Sequence, residues 1–591
     1  MCGIVGQIKQ NGVIDPAVFQ RMRDTLYHRG PDGAGTKLLG DGRVALGHRR
    51  LSIIDLSESG KQPMSNEDGT VWLTYNGEIY NYQPLRTELQ NRGHRFVSHT
   101  DSEVLIHGYE EWGIQKLLSR LKGMFAFALW DDKQKQLVAA RDRFGIKPFY
   151  YYADNTQFAF ASEIKGIIAD PTVQREINPD ALADFFLYSY VPHPHSIWKN
   201  LYKLSPAHYL VYDQKSHHYQ TKRYWQLSVG DRFMPEQEAV ERANELIQQA
   251  VREHMVSDVP VGLFLSGGYD SATVLKHMRA EANVATFSIG FENHRKSEHR
   301  QAAGIANTFG SQHHEEIVAE EVDTFKILET LAFHYDEPYS VSAMIPYYHV
   351  SGLAARHSKV ALSGDGGDEA FAGYNWHYGI HEQESQLVSA YRLKSLFRGQ
   401  RQALLDYYIQ FMPGVAPDIQ ENQALSSDVL DLIGKRGFWY YQQAYENGLD
   451  AVKTMQVLDY KTFMLEACLM RADRSSMAHS LEVRVPFIDH EIFEFTFGLQ
   501  TSVYFKEGYK KYLIYKNIQQ DLDTNILNMP KRGFSFKHLR TLFSHDYTDF
   551  FRKGALAETG ILSESFKLNK LTNKTKLHLL VLELWYRQYG Q

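Results

Sequence analysis

Residues 259–278 read VPVGLFLSGGYDSATVLKHM, and their pattern decides the fold of the larger part of the chain. An apolar run ends in the pair Gly267–Gly268, and a helical pattern begins near Ser271. Two glycines let backbone N–H groups converge on an anion, and the positive end of the following helix adds to the attraction. We therefore expect a strand, a phosphate-binding turn and a helix, with Asp270 placed to hold Mg²⁺. A strand-to-helix turn without a ligand is the alternative.

A second glycine turn, SGDGGDE at 363–369, follows the short apolar run Lys359–Leu362. The carboxyl end of a strand is where an α/β sheet binds its ligand, so these carboxylates and glycines predict a second part of the same site. A solvated acidic turn is the alternative. Neither turn has the Walker A pattern Gly-x4-Gly-Lys-Ser/Thr, which disfavours P-loop transfer of a γ-phosphate.

Strand and helix patterns alternate after residue 236. The predicted elements are a helix over 236–255, a strand over 259–265, a helix from 271 to 278, and strands over 282–289 and 359–362. This alternation predicts an α/β fold with a doubly wound parallel sheet. From about 376 to the end the pattern is mostly helical, which predicts a helical C-terminal part.

The first 160 residues have a different pattern, with short apolar runs separated by Gly, Asp and Asn turns. The runs are 44–46, 71–74, 125–130, 137–140 and 158–161, with helical patterns at 16–27 and 82–90. This arrangement predicts a layered α+β domain. Prolines are frequent between about 165 and 235, which indicates a connector around the junction of two domains.

The overall composition excludes several classes of protein. A chain of 591 residues is too long for one core, and its net charge of −6 gives no general attraction to nucleic acid or anionic lipid. Two cysteines rule out a disulfide scaffold and fit a reducing compartment. No apolar run approaches the roughly 18 residues that span a membrane, and no secretory signal is visible. We expect a cytoplasmic protein that binds neither nucleic acid nor membrane.

The chain begins Met1-Cys2-Gly3. Removal of Met1 would leave a thiol and an α-amine on the same residue. The amine has an ordinary pKa of about 7.7–8.0, close to about 8.5 for the thiol, so it could act as the base for a nucleophilic cysteine. A second-position cysteine with no role in catalysis is the alternative.

Segment 266–271 resembles the PP-loop of ATP pyrophosphatases, which cleave ATP between the α and β phosphates. Together with Cys2, the chain resembles the glutamine-dependent asparagine synthetase family of class II amidotransferase type. Further matching segments are HRGPDG (28–33), RLSIID (50–55), YNGEIYN (75–81), TDSE (100–103), RDRFG (141–145) and SMAHSLEVRVPF (476–487). The resemblance implies an αββα, Ntn-hydrolase-like glutaminase domain at 2–210, a connector at 211–235 and an ATP-dependent synthetase domain at 236–591.

The resemblance also assigns roles in the glutaminase domain. Cys2 is the expected nucleophile, with Asn76 and Gly77 as the oxyanion hole. Arg50 is expected to bind the α-carboxylate of glutamine, and Asp101 its α-ammonium. The remaining expected glutamine-binding residues are Leu51, Ser52, Ile53, Ile54 and Glu78.

In the synthetase domain, the resemblance implies ATP and Mg²⁺ as cofactors. Asp270 and Asp368 are expected to hold Mg²⁺, Lys511 to neutralise the leaving pyrophosphate, and Asp365 to assist amination. Lys510 is the rival of Lys511. The expected ATP-binding residues are Leu265, Ser266, Gly267, Gly268, Asp270, Ser271, Ile289, Ser363 and Gly364.

The implied reaction makes asparagine from aspartate, ATP and glutamine, with ammonia passing between the sites. The apolar residues 124–130 are either part of that path or ordinary core. Departures from the family pattern at Tyr269, Asp365, 204–208 and 293–297 leave the acceptor open. The alternatives are amidation of another carboxylate, such as a uronic acid of a surface polysaccharide or a peptide precursor, and a non-catalytic relative. A homodimer is compatible with the sequence, which leaves the oligomeric state open.

Overall fold

The computed structural model describes residues 2–292, 298–319, 322–386, 389–527 and 539–590. They form an N-terminal unit of two stacked sheets and a C-terminal unit around one parallel sheet. Among these residues, no helix has the length and apolar character needed to cross a lipid bilayer.

The N-terminal unit contains two antiparallel sheets of six strands. The strands are β1 (Gly3–Lys9), β2 (Gly33–Leu39), β3 (Val44–Arg50), β4 (Met64–Ser65), β5 (Val71–Ile79), β6 (Gly123–Asp131), β7 (Gln136–Arg141), β8 (Tyr150–Ala153), β9 (Gln157–Ala161), β10 (Leu201–Lys203), β11 (His208–Asp213) and β12 (His218–Arg223). Their orders are β10-β8-β9-β1-β3-β2 and β12-β11-β7-β6-β5-β4.

Helices cover the outer face of each sheet. They are α1 (Pro16–Asp24), α2 (Tyr82–Asn91), α3 (Glu103–Arg120), α4 (Ile164–Ile168) and α5 (Pro179–Tyr188). Helices α1 and α4 pack on the first sheet, and α2 and α3 pack on the second. The predicted αββα layering is therefore confirmed.

Strand β6 is buried on both faces. Ala126, Ala128 and Trp130 point into the core between the two sheets, whereas Phe125 and Phe127 point into the core beneath α2 and α3. Because successive side chains of a strand face opposite sides, burial on both sides requires apolar residues throughout. This explains the unbroken apolar run at 124–130.

The range 211–235, expected to be a connector, contains regular structure. Strand β12 and the second half of β11 lie in it, and both pair within the second sheet. Residues 214–217 form the turn between these strands, and residues 224–235 carry neither helix nor strand. We therefore propose that the N-terminal unit extends to about residue 223.

The C-terminal unit is built on a five-stranded sheet. Its strands are β13 (Val261–Phe264), β14 (Ala285–Phe291), β15 (Gln312–Val318), β16 (Val360–Leu362) and β17 (Glu482–Arg484), in the order β15-β14-β13-β16-β17. Each neighbouring pair is parallel, so the doubly wound α/β prediction is confirmed. The sequence analysis missed β15, an edge strand of mainly polar residues, and β17, which has three residues.

Helices surround this sheet and form the C-terminal part. They are α6 (Glu236–His254), α7 (Tyr269–Glu281), α8 (His299–Phe309), α9 (Thr324–Tyr335), α10 (Met344–Ala355), α11 (Gly367–Ala370), α12 (Asn375–Ser385), α13 (Ala390–Arg398), α14 (Gln400–Ile409), α15 (Ala416–Glu421), α16 (Ser427–Arg436), α17 (Trp439–Ala444), α18 (Ala451–Leu458), α19 (Met470–Met477), α20 (His490–Gly498), α21 (Thr501–Tyr504), α22 (Tyr512–Ile518), α23 (Thr524–Leu527), α24 (Leu539–Leu542), α25 (Thr548–Arg552), α26 (Ala555–Glu558) and α27 (Asn573–Tyr589). A π-helical segment, Asp459–Leu469, joins α18 to α19.

A buried group of charged side chains joins the two units. Arg29 of the first unit donates hydrogen bonds to Asp473 of the second, at 2.7 and 2.9 Å. Arg474 lies 3.0 Å from Glu163 Oε1 and 3.2 Å from Asp336 Oδ1. All five side chains are almost wholly shielded from solvent. Buried charges are tolerated only when each has a partner, so the two units must keep one relative position for these pairs to form.

We expect Arg474→Met to lower the free energy of unfolding by about 3–5 kcal/mol, because it removes one of the two cations that contact both Glu163 and Asp336, the other being Lys165. Urea unfolding followed by tryptophan fluorescence measures the change. The matched control is Lys199→Met, which removes the exposed pair Lys199–Glu176 and should cost less than about 1 kcal/mol. Equal losses in the two variants would contradict a structural role for the buried group.

Candidate active sites

Cys2 lies immediately before β1 and beside β5. Its backbone N–H donates to Asn76 Oδ1 at 2.9 Å, and its carbonyl oxygen accepts from Arg29 Nε at 3.1 Å. Burial raises the pKa of the Cys2 thiol above its ordinary value. These contacts hold the backbone on both sides of the thiol-bearing carbon.

Asn76 and Gly77 lie in β5, next to Cys2. Asn76 is fully buried, and its Nδ2 has no hydrogen-bond partner among the described residues. A Cβ atom on Gly77 would lie 2.2 Å from the carbonyl oxygen of Met124, so the close pairing of β5 with β6 requires glycine there. A buried amide N–H without a partner beside a thiol can donate to an oxyanion.

A small pocket opens beside the Cys2 thiol. Among the predicted residues, its walls include Cys2, Arg50, Leu51, Ile53, Ile54, Gly77, Glu78 and Asp101. The structure adds five residues that the sequence analysis missed: Gly60, Gln62, Tyr75, Thr100 and Ser102. Ser52 lies outside the pocket lining, and its backbone N–H donates to Asp32 Oδ2 at 2.8 Å.

Arg50 and Asp101 lie in this lining with different surroundings. The Arg50 Nη1 donates to the carbonyl oxygen of Ser57 at 2.7 Å. Asp101 Oδ2 accepts from the Tyr75 hydroxyl at 2.7 Å and from the backbone N–H of Ile79 at 2.8 Å. Burial raises the pKa of the Asp101 carboxyl to about 6. The pocket lining therefore contains a cation and an acid that is ionised at neutral pH.

The C-terminal unit supports one wall of the pocket. Leu51 and Ile53 pack against Val360 and Met477. Arg484 Nη2 lies 3.4 Å from Glu78 Oε1, although burial still raises the pKa of Glu78 well above its ordinary value. The pocket near Cys2 thus depends on the second unit for its shape.

The predicted phosphate turn joins β13 to α7. The Ser266 backbone N–H donates to Ser271 Oγ at 3.1 Å, and the two hydroxyl oxygens are 3.0 Å apart. The backbone N–H of Gly268 lies 3.3 Å from Ser266 Oγ. A Cβ atom on Gly267 would lie 2.7 Å from Gln301 Oε1, which explains why glycine is required. The turn is a compact ring of hydroxyl and N–H groups at the start of a helix.

The second glycine turn packs directly against the first. A Cβ atom on Gly364 would lie 2.9 Å from the backbone nitrogen of Ser271, and one on Gly367 would lie 2.6 Å from Asp270 Oδ1. Leu265 follows β13, Ile289 lies in β14 and Ser363 follows β16, which is the carboxyl edge of three adjacent strands. The structure thus brings the predicted ATP-binding residues together at one edge of the sheet.

Lys511 lies between the two predicted metal ligands. Its Nζ donates to Asp270 Oδ2 and lies 3.0 Å from Asp368 Oδ1, with the lysine side chain almost fully buried. Lys510 instead donates to Asn375 Oδ1 at 2.6 Å on the exposed side. The geometry therefore favours Lys511 over Lys510. Two carboxylates around one cation position also fit the oxygen ligands that Mg²⁺ takes beside phosphates.

Asp365 is held by three donors. Its Oδ2 accepts from Ser363 Oγ at 2.6 Å and from the Tyr347 hydroxyl at 3.0 Å, while its Oδ1 accepts from Arg471 Nη2 at 3.0 Å. The sequence analysis missed Tyr347 and Arg471, which come from α10 and α19. Departure segment 293–297 lies outside the described residues.

Comparisons with known families agree with this geometry. Residues 1–225 match the glutamine amidotransferase domain model, and residues 242–587 match the asparagine synthase model. The glutamine-hydrolysing asparagine synthetase 1 of Bacillus subtilis is 33% identical over 563 residues, covering 90% of this chain and 87% of the relative.

Two further relatives show the range of similarity. A putative glutamine-hydrolysing asparagine synthetase 2 of Methanocaldococcus jannaschii is 36% identical over 398 residues, covering 64% of this chain and 76% of the relative. The amidase chry2 of Gibberella zeae is 28% identical over 569 residues, covering 86% of this chain and 84% of the relative. The predicted family is confirmed: the chain belongs to the glutamine-hydrolysing asparagine synthetases, with a glutamine amidotransferase domain followed by an asparagine synthase domain.

Proposed function

We propose that this chain hydrolyses glutamine at Cys2 and uses the ammonia to make asparagine from aspartate, through an acyl-adenylate formed from ATP. One observation carries this proposal: helix α19 contacts both sites. Arg471 of this helix binds Asp365, whereas Asp473 binds Arg29, which in turn holds the Cys2 carbonyl. A donor site and an acceptor site joined by one helix suit an enzyme that transfers nitrogen between them.

In the first half-reaction, removal of Met1 frees the Cys2 amine to accept the thiol proton. The thiolate attacks the side-chain carbonyl of glutamine, and the protonated amine gives its proton to the departing nitrogen, which leaves as ammonia. Water then hydrolyses the resulting thioester to glutamate. The unpartnered Asn76 Nδ2 would stabilise the oxyanion, together with the Gly77 N–H. Losing one such donor typically costs about 10²–10³ in rate.

Glutamine would be held by two opposite charges of the pocket lining. We assign the α-carboxylate to Arg50, the cation of the lining, and the α-ammonium to Asp101, because the pKa of the other lining carboxyl, Glu78, is raised well above its ordinary value. Leu51, Ile53 and Ile54 contact the aliphatic part. Tyr75 fixes Asp101 through its hydroxyl and thereby fixes the ammonium position.

In the second half-reaction, the acceptor carboxylate attacks the α-phosphorus of ATP and pyrophosphate leaves. The phosphates would lie on Ser266, Gly267, Gly268 and Ser271, with Lys511 neutralising the leaving group. Mg²⁺ bound by Asp270 and Asp368 would supply further positive charge to the phosphates. Ammonia then attacks the acyl carbon and AMP leaves, with Asp365 accepting a proton.

Ammonia must travel between the sites without meeting water, because ammonium is not a nucleophile. Residues 125–130 alternate between two apolar cores and Met124 belongs to a third, which supports a packing role for residues 124–130 over a role in lining the path. The cytoplasmic location and a homodimer stay predictions.

The acceptor is tested by release of AMP and pyrophosphate from ATP in the presence of candidate acids and ammonium. We expect release to depend on aspartate and asparagine to accumulate in equal amount. Dependence on a uronic acid or a carboxylated peptide would instead support amidation of that acceptor. Release of ADP, or no release with any acid, would overturn the proposal.

The division of labour is tested with Cys2→Ala. Loss of the thiol should abolish glutamine-dependent synthesis, whereas synthesis with ammonium salts should stay within about twofold of the parent rate, because the second site is unchanged. The measurement is asparagine formation with each nitrogen source.

The mirror control is Asp270→Asn, which should abolish synthesis with both nitrogen sources while glutamine hydrolysis persists. Loss of ammonium-dependent synthesis in the cysteine variant would contradict the assignment of Cys2 to the glutaminase site alone.

The pH dependence of glutamine hydrolysis tests the role of Asp101. Because burial raises its pKa to about 6, the carboxylate is lost as pH falls through that value, and with it the pairing with the α-ammonium. Below about pH 6, log kcat/KM for glutamine should therefore fall with one additional unit of slope beyond that due to the catalytic amine. Asp101→Asn should lack this additional slope; an unchanged profile would contradict the assignment.

A further inference from the structure

A cluster of histidine and glutamate side chains lies on the outer face of the N-terminal unit, away from both sites. His107 lies on α3 and is almost fully buried. His94 follows α2, and Glu67 lies in the turn between β4 and β5. At least twelve residues lie between any two of these positions in the sequence, so they form no local motif.

The candidate ligand atoms converge. One nitrogen of each histidine and one carboxylate oxygen of Glu67 all lie within 4.8 Å of one another. His107 Nδ1 is buried without a hydrogen-bond partner among the described residues. It lies 3.9 Å from Glu67 Oε2 and 3.4 Å from Glu110 Oε2.

Neighbouring residues orient these carboxylates by hydrogen bonds, as residues around a metal site orient its ligands. Glu67 Oε1 accepts from the backbone N–H of Arg95 at 3.1 Å, and Glu110 Oε1 accepts from Asn66 Nδ2 at 2.6 Å. Each carboxylate therefore has one oxygen held by the protein and the other facing His107.

The second ring nitrogen of His107 also faces a carboxylate. Its Nε2 lies 3.9 Å from Glu103 Oε1, and Glu103 is fixed by the backbone N–H groups of Val97 and Ser98 at 2.9 and 2.7 Å. A carboxylate that accepts from the distal ring nitrogen orients the histidine ligands of zinc, and Glu103 lies on that side of the His107 ring, beyond hydrogen-bond distance.

We propose that Glu67, His94 and His107 bind one Zn²⁺ ion, with Glu110 or water as the fourth ligand. Two imidazoles and one carboxylate suit zinc better than Mg²⁺ or Ca²⁺, which take oxygen ligands. Tetrahedral zinc with bonds of about 2.0–2.1 Å places its ligands about 3.3–3.5 Å apart. The ligand atoms must therefore move closer together. The side chains of Glu67 and His94 have room to do so, because the first is half exposed and the second is partly exposed.

An ion at this position would affect a segment that lines the pocket beside Cys2. The segment between His94 and Glu103 contains Thr100, Asp101 and Ser102, which line the pocket beside Cys2. A zinc ion would tie this segment to α3 and to the β4–β5 turn. Zinc binding at this site needs neither glutamine nor ATP, so it can be tested separately from the proposed function.

The competing occupant of the cluster is a proton. The surrounding carboxylates hold the pKa of His107 at about 9, although burial opposes this. Zinc must displace that proton to bind. The experiment therefore has to distinguish a metal site from a protonated histidine held among carboxylates.

The test is equilibrium dialysis of the full-length chain against Zn²⁺ alone, with bound metal measured by mass spectrometry. A Cys2→Ala background removes the partly buried thiol of Cys2 as a competing ligand. We expect one zinc per chain, and more than about tenfold weaker binding in His94→Gln and in Glu67→Gln. The matched control is His218→Gln, an exposed histidine outside the cluster that should bind as the parent does.

Substitution with Co²⁺ supplies a second readout. Co²⁺ bound by histidine nitrogens gives visible absorption bands, and these bands differ from those of Co²⁺ bound by carboxylates alone. These bands should be lost in His94→Gln, and circular dichroism should show that the variant is folded. Absence of saturable zinc binding, or equal binding by the parent and both cluster variants, would overturn the proposal and leave the proton as the occupant.

Discussion

The position of the nucleophile and the contact between the two units depend on one side chain, Arg29. Its guanidinium holds the Cys2 carbonyl, Glu163 of its own unit and Asp473 of the other unit. A fully buried guanidinium is tolerated only with such complete pairing. The Cys2 site and the interface therefore cannot vary separately: a shift of the second unit would withdraw Asp473 and disturb the residue that carries the thiol.

The two sites use buried charge in opposite ways. In the Cys2 pocket, carboxylates lie in poorly solvated positions, and the pKa values of Asp101 and Glu78 rise. At the edge of the parallel sheet, Lys511 lies between Asp270 and Asp368, so opposite charges balance. The first arrangement suits the binding of a small zwitterion. The second suits the binding of a polyphosphate, whose negative charge needs cations beside it.

Much of the fold could be predicted because its signals are local. The glycine turn after β13, the alternation in the C-terminal unit and the double-sided burial of β6 are all visible within a few residues. The polar edge strand β15 could not be predicted because it lacks an apolar pattern. Tyr75 and Arg471 could not be predicted for another reason. Each contacts an aspartate that is distant in the sequence, and neither residue type indicates such a contact by itself.

The sequence by itself determined the family, the order of the two domains and the residue types able to perform the chemistry, because these depend on motifs of a few consecutive residues. Only the tertiary structure decided between Lys510 and Lys511. The two are adjacent and chemically identical, but Lys511 adopts a left-handed backbone conformation, its side chain enters the interior between two carboxylates, and Lys510 remains outside. Such a choice depends on the direction of the chain in space, which local composition does not encode.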